Sequence, residues 1–349
     1  MPKVRVAFVG VGNVTSAVVQ GMHYYRSYPM AEGLWHPSVG GFTLEDIEVV
    51  AAFDVDERKV GKDLSEAIFS EPNSLARRVD VPRMGVEVRR GFLKDELNPH
   101  MASSLKVVCG SYQDFLEALE SSGADVVVNS ISSGLDETSK AYAMASREAG
   151  ASFVNLTPSA VATDDEVERG FFESGLVVAG DDLMSQVGGT AFHKGLASFL
   201  KLRGVKPMKS YQLDVGGGLE TVNTMYEDLR IYKRAVKSSA IAAEFGEGWE
   251  IIAGTSDYVD FLGNDRVIHL YFVGSGFMGS EISIEVAMRA NDGMNAGNVV
   301  LDLIRAVARA KLDGKRGYVD EICEYGFKRT RRWRSIVEAT RNFELSYCR

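Results

Sequence analysis

The sequence of 349 residues has only three cysteines, Cys109, Cys323 and Cys348. Their spacing gives neither a metal-ligand pattern nor an even disulfide pairing, so reduced thiols in the cytoplasm and no metal site are the expectation. No apolar run reaches the roughly 18 residues that a membrane span needs. The start, MPKVRVAFVG, reads as a strand entering a turn rather than a signal peptide. A basic block is also missing, apart from KRTRRWR at 328–334, and the net charge is −9. Nucleic acid and membrane are therefore not expected as partners. What is present is ordinary for a globular chain, 45% hydrophobic and 25% charged, with length enough for two domains that share an interface.

The first half carries a strand, a glycine turn and a helix. Val4–Val9 is a β-branched run stopping at Gly10, and helical spacing follows over Val14–His23. Gly10 suits the tight turn, and Gly12 lets backbone approach a pyrophosphate resting on the helix N-terminus. Thr15 occupies the usual third glycine position, and Asn13 adds a side chain near the phosphates. A second apolar strand, Asp46–Phe53, ends in Asp54. A carboxylate there accepts from ribose hydroxyls and repels a 2′-phosphate, which points to NAD rather than NADP. The 24–44 stretch reads as an inserted loop and the 71–105 stretch as a surface excursion. Strands follow at Leu105–Val108, Asp125–Asn129, Ser152–Asn155 and Leu176–Ala179, with helices at Tyr112–Ser121 and Glu137–Ala149. Ser130, Ser132, Ser133 and Gly134 lie past a strand end, where a doubly wound sheet holds its ligand, although turn formation also accounts for such residues.

GDDLMSQVGGT, residues 180–190, leaves a strand and opens a helix running to about Leu202. Free N–H groups at a helix start make an anion site. Asp181 is a candidate helix cap, and Asp182 a candidate to orient a cofactor or a lysine. After Lys206 the alternation changes: Lys209–Val215, Asp265–Gly274 and Glu281–Arg289 read as strands of a separate mixed or antiparallel sheet. An amphipathic helix over Asn295–Asp313 is placed to pack back on the first domain. Lys233 and Lys237, four apart, share one helix face. Two such cations suit a substrate phosphate or a developing oxyanion, and a neighbour-depressed lysine can move protons; an exposed basic face is the plainer alternative.

Taken together and in this order, FVGVGNVTSAVVQG, VVAAFDVDERKVGKDLSEAIF, ASFVNLTPS, GDDLMSQVGGT, KRAVKSS, NDGMNAGNVVLDLIRA and YGFKR make the chain resemble the myo-inositol-1-phosphate synthase family over about Val4 to Lys328. The resemblance implies an α/β fold: a Rossmann-like doubly wound parallel sheet and a second α+β domain on a mixed sheet. It divides the chain into an NAD-binding unit over 1–204, completed by 294–349, and a catalytic and oligomerisation unit over 205–293. The reaction it implies converts glucose 6-phosphate to inositol phosphate by oxidation at C5, enolisation at C6, attack on the C1 aldehyde and re-reduction. NAD is the implied cofactor, a sugar phosphate the substrate and a homotetramer the assembly.

By the same resemblance, Lys233, Lys237, Lys328 and Asp182 are catalytic. Gly10, Gly12, Asn13, Val14, Asp54, Ser132 and Asp292 contact NAD. Ser185, Gln186, Gly188, Thr190 and Asn223 hold the substrate phosphate. Three departures stand out. Met184 replaces a family lysine, Gly218 replaces the asparagine of GGN, and Tyr271 aligns where the family carries a cation, with His269 a candidate replacement on the same strand face. Two alternatives stay open: the same redox cycle on another phosphorylated sugar, and a non-catalytic NAD-binding protein.

Overall fold

The computed structural model describes residues 3–246 and 248–348. Seven parallel strands form the larger sheet: β1 (Val4–Val9), β2 (Ile47–Asp54), β3 (Val88–Arg90), β4 (Val126–Asn129), β5 (Ser152–Asn155), β6 (Val177–Ala179) and, from the far end of the chain, β11 (Gly317–Tyr318), in the order β11-β6-β5-β4-β1-β2-β3. The inner strands β1, β4, β5 and β6 are buried on both faces almost throughout, which is why they read as nearly continuous apolar runs. Val4, Val6 and Phe8 of β1 face one core, and Ala7 and Val9 the other.

The chain reverses its winding between β1 and β4, so the crevice at their carboxyl ends is the expected ligand position. Over one face run the helices Asn13–Ser27 and Asp292–Leu312. A Cβ on Gly297 would lie 2.9 Å from Ala17 Cβ, so only glycine permits this close approach of the two helices. The other face is covered by Tyr112–Ser122, Asp136–Glu148 and Asp165–Glu173.

The smaller sheet consists of β7 (Lys206–Gly216), β8 (Glu250–Tyr258), β9 (Asp265–Ser275) and β10 (Glu281–Asn291), ordered β10-β9-β7-β8. It is mixed: β8 runs parallel to β7, the other pairs antiparallel. Helices Gly189–Leu202 and Glu227–Ala242 cover its inner face, where Leu200, Leu270 and Phe272 form a small core. β8 is absent from the sequence reading, because only Ala253, Gly254 and Thr255 are buried in it and no clean alternation marks it.

The two insertions behave differently from expectation. Leu105–Val108 is not a strand; Val107 makes only an isolated bridge to Asp56. The 71–105 segment is not a mere excursion either, since it supplies edge strand β3 and the helix Pro99–Ser104. Within 24–44 the first helix continues to Ser27, and the remaining loop is fastened by buried Arg305, which donates to the carbonyls of His36 and Pro37.

Candidate active site

The glycine turn fixes the first wall of the cleft. Gly10 has φ +88°, and a Cβ there would lie 2.9 Å from the Ser130 backbone, so no other residue brings β1 and β4 this close. Thr15 replaces the third glycine with a bond: its Oγ1 donates to the Gly10 carbonyl at 2.6 Å. Above Gly12 there is open space, and Gly12, Asn13 and Val14 have no acceptor for their N–H groups among the described residues. Such a cradle of free donors at a helix start suits a pyrophosphate. The residues present therefore fit a dinucleotide.

Asn13 lines this cleft, but its side chain is used elsewhere: Oδ1 accepts from the N–H groups of Ser74 and Leu75 at 2.9 and 3.0 Å. Asp54 also lines the cleft, with Oδ2 accepting from Val11 N–H at 2.7 Å. Gly10, Gly12, Val14, Ser132 and Asp292 all reach the same cleft. Asp292, expected beside the cofactor, accepts instead from Arg266 at 2.7 Å.

The second wall is built by a short backbone ladder. Segments 181–184 and 326–329 run antiparallel, with N–H donation from Asp181 to Arg329, Lys328 to Asp182 and Met184 to Gly326. Asp182 sits at φ +62° and accepts from Lys328 Nζ at 2.6 Å. Burial pushes its carboxyl upward, but Lys328, Lys233 and Lys237 outweigh that and hold it below the usual carboxylate range. Its Oδ2 is buried without a partner. Asp181 does not cap the following helix. Fully buried, it accepts from Asn155, from the N–H groups of Val161, Ala162 and Thr163 and from the Thr163 hydroxyl, and burial raises its pKa.

The helix Glu227–Ala242 delivers Lys233 and Lys237 into the cleft, each to its own carboxylate. Lys233 pairs with Glu220, which also accepts from Ser133. Lys237 donates to Asp214 Oδ2 at 2.5 Å. The buried Asp214 is pushed up by desolvation, yet Lys237 and Arg266 keep it ionised. Lys237 itself is lowered, first by burial, with Asp214 opposing and Arg266 repelling. The pair is therefore asymmetric: the carboxylate has a second cation in Arg266, and the ammonium is the partner primed to release a proton.

Arg266 is the cation that sequence reasoning missed. It lines the cleft between Asp214 and Asp292, at 3.7 and 2.7 Å. The signal lay in the alternation of β9, where Ile268, Leu270 and Phe272 are buried and Arg266 shares their face. His269 and Tyr271 occupy the opposite face; His269 is exposed and Tyr271 packs against Tyr211 at 5.5 Å between rings. Neither replaces a cation in the cleft. Met184, which stands for the other family lysine, is also buried outside it.

The start of the helix Gly189–Leu202 forms the third wall. Ser185, Gly188 and Thr190 line the cleft, and the N–H groups of Gly189, Thr190 and Ala191 have no acceptor among the described residues. Gln186 and Asn223 do not line it. Gln186 accepts from Asn298 at 2.7 Å; Asn223 donates to the Ser133 carbonyl at 2.7 Å and accepts from Asn98, stapling the insertion to the serine turn. A buried relay secures this helix to the lysines: His193 contacts Ser210 and Gln212, and Gln212 donates to Asp214 at 2.8 Å.

Residues 188–293 match the myo-inositol-1-phosphate synthase family. The inositol-3-phosphate synthase of Mycolicibacterium smegmatis is 33% identical over 336 residues, covering 93% of each chain. The chain belongs to this family. That of Corynebacterium glutamicum is 34% identical over 321 residues, covering 89% of this chain and 88% of its own. The crystal structure of Ari2 shares 30% identity and a TM-score of 0.78 over 99% of both chains. The fold brings Lys233, Lys237, Asp182 and Lys328 into one cleft.

Proposed function

We propose that the protein is an NAD-dependent inositol-3-phosphate synthase, cyclising D-glucose 6-phosphate to 1D-myo-inositol 3-phosphate. The observation that carries this reading is the convergence of Lys233, Lys237, Arg266 and Lys328 on one cleft, between a cradle suited to a dinucleotide and the N-terminus of the helix Gly189–Leu202. Binding NAD alone requires none of these cations, which weighs against a purely cofactor-binding role.

When bound, NAD supplies reversible hydride transfer; the Gly12–Val14 cradle and Asp54 are the residues that would hold it. The N–H groups of Gly189–Ala191, with Ser185 and Thr190, receive the substrate phosphate. Lys237, lowered by burial, takes the C5 hydroxyl proton during oxidation and returns it to the C5 oxygen at re-reduction, while the proton lost from C6 ends on the C1 oxygen as the C1–C6 bond forms. Lys233, Arg266 and Lys328 stabilise the oxyanions at C5 and C1. Asp182 keeps Lys328 aimed and offers its free Oδ2 to a substrate hydroxyl. Residues 1–204 with 294–349 act as the NAD-binding unit and 205–293 as the catalytic and assembly unit.

The outer face of the smaller sheet presents Tyr211, Leu213 and Ile252 to solvent, which supports assembly through that face into a homotetramer. The same cycle on another sugar phosphate is the second reading. It is favoured by Gly218, whose missing side chain leaves the cleft wall open to Asn264, 3.9 Å from where a Cβ would stand. Incubating the protein and NAD with glucose 6-phosphate, and following inositol phosphate by phosphorus NMR, tests both. Product without added reductant supports cyclisation of glucose 6-phosphate; bound NAD without product moves the assignment to another sugar phosphate.

A further inference from the structure

Five residues beyond Asp54, Lys59 is turned inward and only 4% exposed, although nothing in a surface turn requires a buried lysine. Its ammonium donates to Asn73 Oδ1 at 3.0 Å and stands 3.7 Å from Asp54 Oδ2. All three residues line the end of the cleft beside the glycine turn. The neighbouring cation, Arg58, is committed elsewhere, to Asp56 and the Ser104 carbonyl.

The spacing of Lys59 and Asp54 is the informative quantity. At 3.7 Å the two charges attract without forming a direct hydrogen bond. A hydroxyl can engage both, accepting from the ammonium and donating to the carboxylate. A phosphate monoester has no proton to donate; it gains from Lys59 and is repelled by Asp54. Asp54 is moreover already held by two N–H groups, of Val11 at 2.7 Å and Asp56 at 2.9 Å, which spread its charge.

We infer that Lys59 is a specificity-determining residue for the adenosine ribose, acting with Asp54 to read its diol and moderating the exclusion of a 2′-phosphate. This rests on the dinucleotide reading above. Discrimination between NAD and NADP is then the balance of two opposed charges, and the residues of this chain do not exclude NADP outright.

The test is calorimetric titration of the full chain, freed of nucleotide on charcoal, with NAD and with NADP. A charge-assisted hydrogen bond is worth about 1.5–3 kcal/mol, or roughly 10–100-fold in affinity. Lys59→Gln, which can still bond Asn73, is expected to weaken NADP by that factor and NAD by several-fold less, widening the preference for NAD. Lys59→Arg is expected to keep the wild-type ratio, and Asp54→Asn to narrow it. Equal weakening of both nucleotides by Lys59→Gln, or no change in either, at an unaltered melting temperature, overturns the inference. Binding of neither nucleotide by the wild type overturns the dinucleotide reading and the inference with it. Should Lys59→Gln melt early, Lys59→Arg decides: a charge-preserving variant that loses the wild-type ratio counts against the ribose role.

Discussion

Lys328 is bound to Asp182 twice: its backbone N–H donates to the Asp182 carbonyl at 2.8 Å, and its ammonium donates to Asp182 Oδ1 at 2.6 Å. The backbone bond sets the position and the side-chain bond sets the charge, so the two contributions can be separated by mutation. Asp182→Asn should keep the backbone ladder but lower the melting temperature, since a buried ion pair is lost, while turnover falls about 10²-fold or more because Lys328 is no longer aimed. Steady-state kinetics beside a thermal melt checks this; a kcat within threefold of wild type would remove Asp182 from the mechanism.

Lys237→Met should abolish turnover while dinucleotide binding persists, because Asp214 retains Arg266 and Gln212 as partners. Arg266→Met leaves the half-exposed Asp292 without its cation, while buried Asp214 keeps Lys237, so it is expected to cost turnover and only about 1 kcal/mol of stability. Chemical denaturation measures the second effect. Since Lys237 acts as a base and burial depresses it, kcat should rise with pH as it loses its proton, on a limb lying below its ordinary value of 10.5. A limb that rises only above 10.5 would exclude Lys237 as the titrating group.

Tyr271→Lys restores the family's cation in sequence but places it on the outer face of the sheet, against Tyr211. Turnover per subunit should stay unchanged, whereas light scattering should detect weakened self-association. A gain in turnover would show that the outer face reaches the chemistry.

Two histidines should bend the stability curve in opposite directions. Burial pushes His36 down, but Asp302, bonded at 2.7 Å, and Glu344 outweigh it and raise the pKa above 6.5. Its contribution is complete below 6.5 and is lost as pH rises through the folded value. His193 is lowered by burial to about 4, so its contribution is complete above 6.5 and is lost between 6.5 and about 4, up to about 3 kcal/mol. Melting temperatures measured across pH 4–9 should decline at both ends. His36→Asn should flatten the alkaline decline alone; an unchanged alkaline limb in that variant refutes the assignment.

The sequence conveys the parallel sheet well, because burial on both faces leaves long apolar runs and each glycine turn is local. It conveys the smaller sheet less well: β8 lacks alternation, and its partner β7 carries Ser210, Gln212 and Asp214 on the buried face, so polar residues stand where apolar ones mark a core. The lysines were readable by spacing and by family likeness. Their carboxylates were not, since Asp214 and Glu220 arrive from different elements and declare themselves only through contact. Arg266 is hidden for a different reason: the face it takes on β9 depends on which alternate set is apolar, and His269 and Tyr271 stand on the other one. The amides of Asn13, Gln186 and Asn223 are consumed by neighbouring backbone or side chains, which a motif does not reveal.

The helix Asp292–Leu312 closes one face of a sheet whose first six strands are complete by Ala179. Translation therefore releases the parallel-sheet half long before its cover exists. Until the helix Asp292–Leu312 has left the ribosome, Val6, Phe8, Val128 and Val154 lack the Val300, Leu303 and Ile304 side chains that bury them. A chain truncated ahead of residue 292 thus carries an open apolar surface, and a ribosome-bound chain of that length is a natural client for chaperones that recognise one.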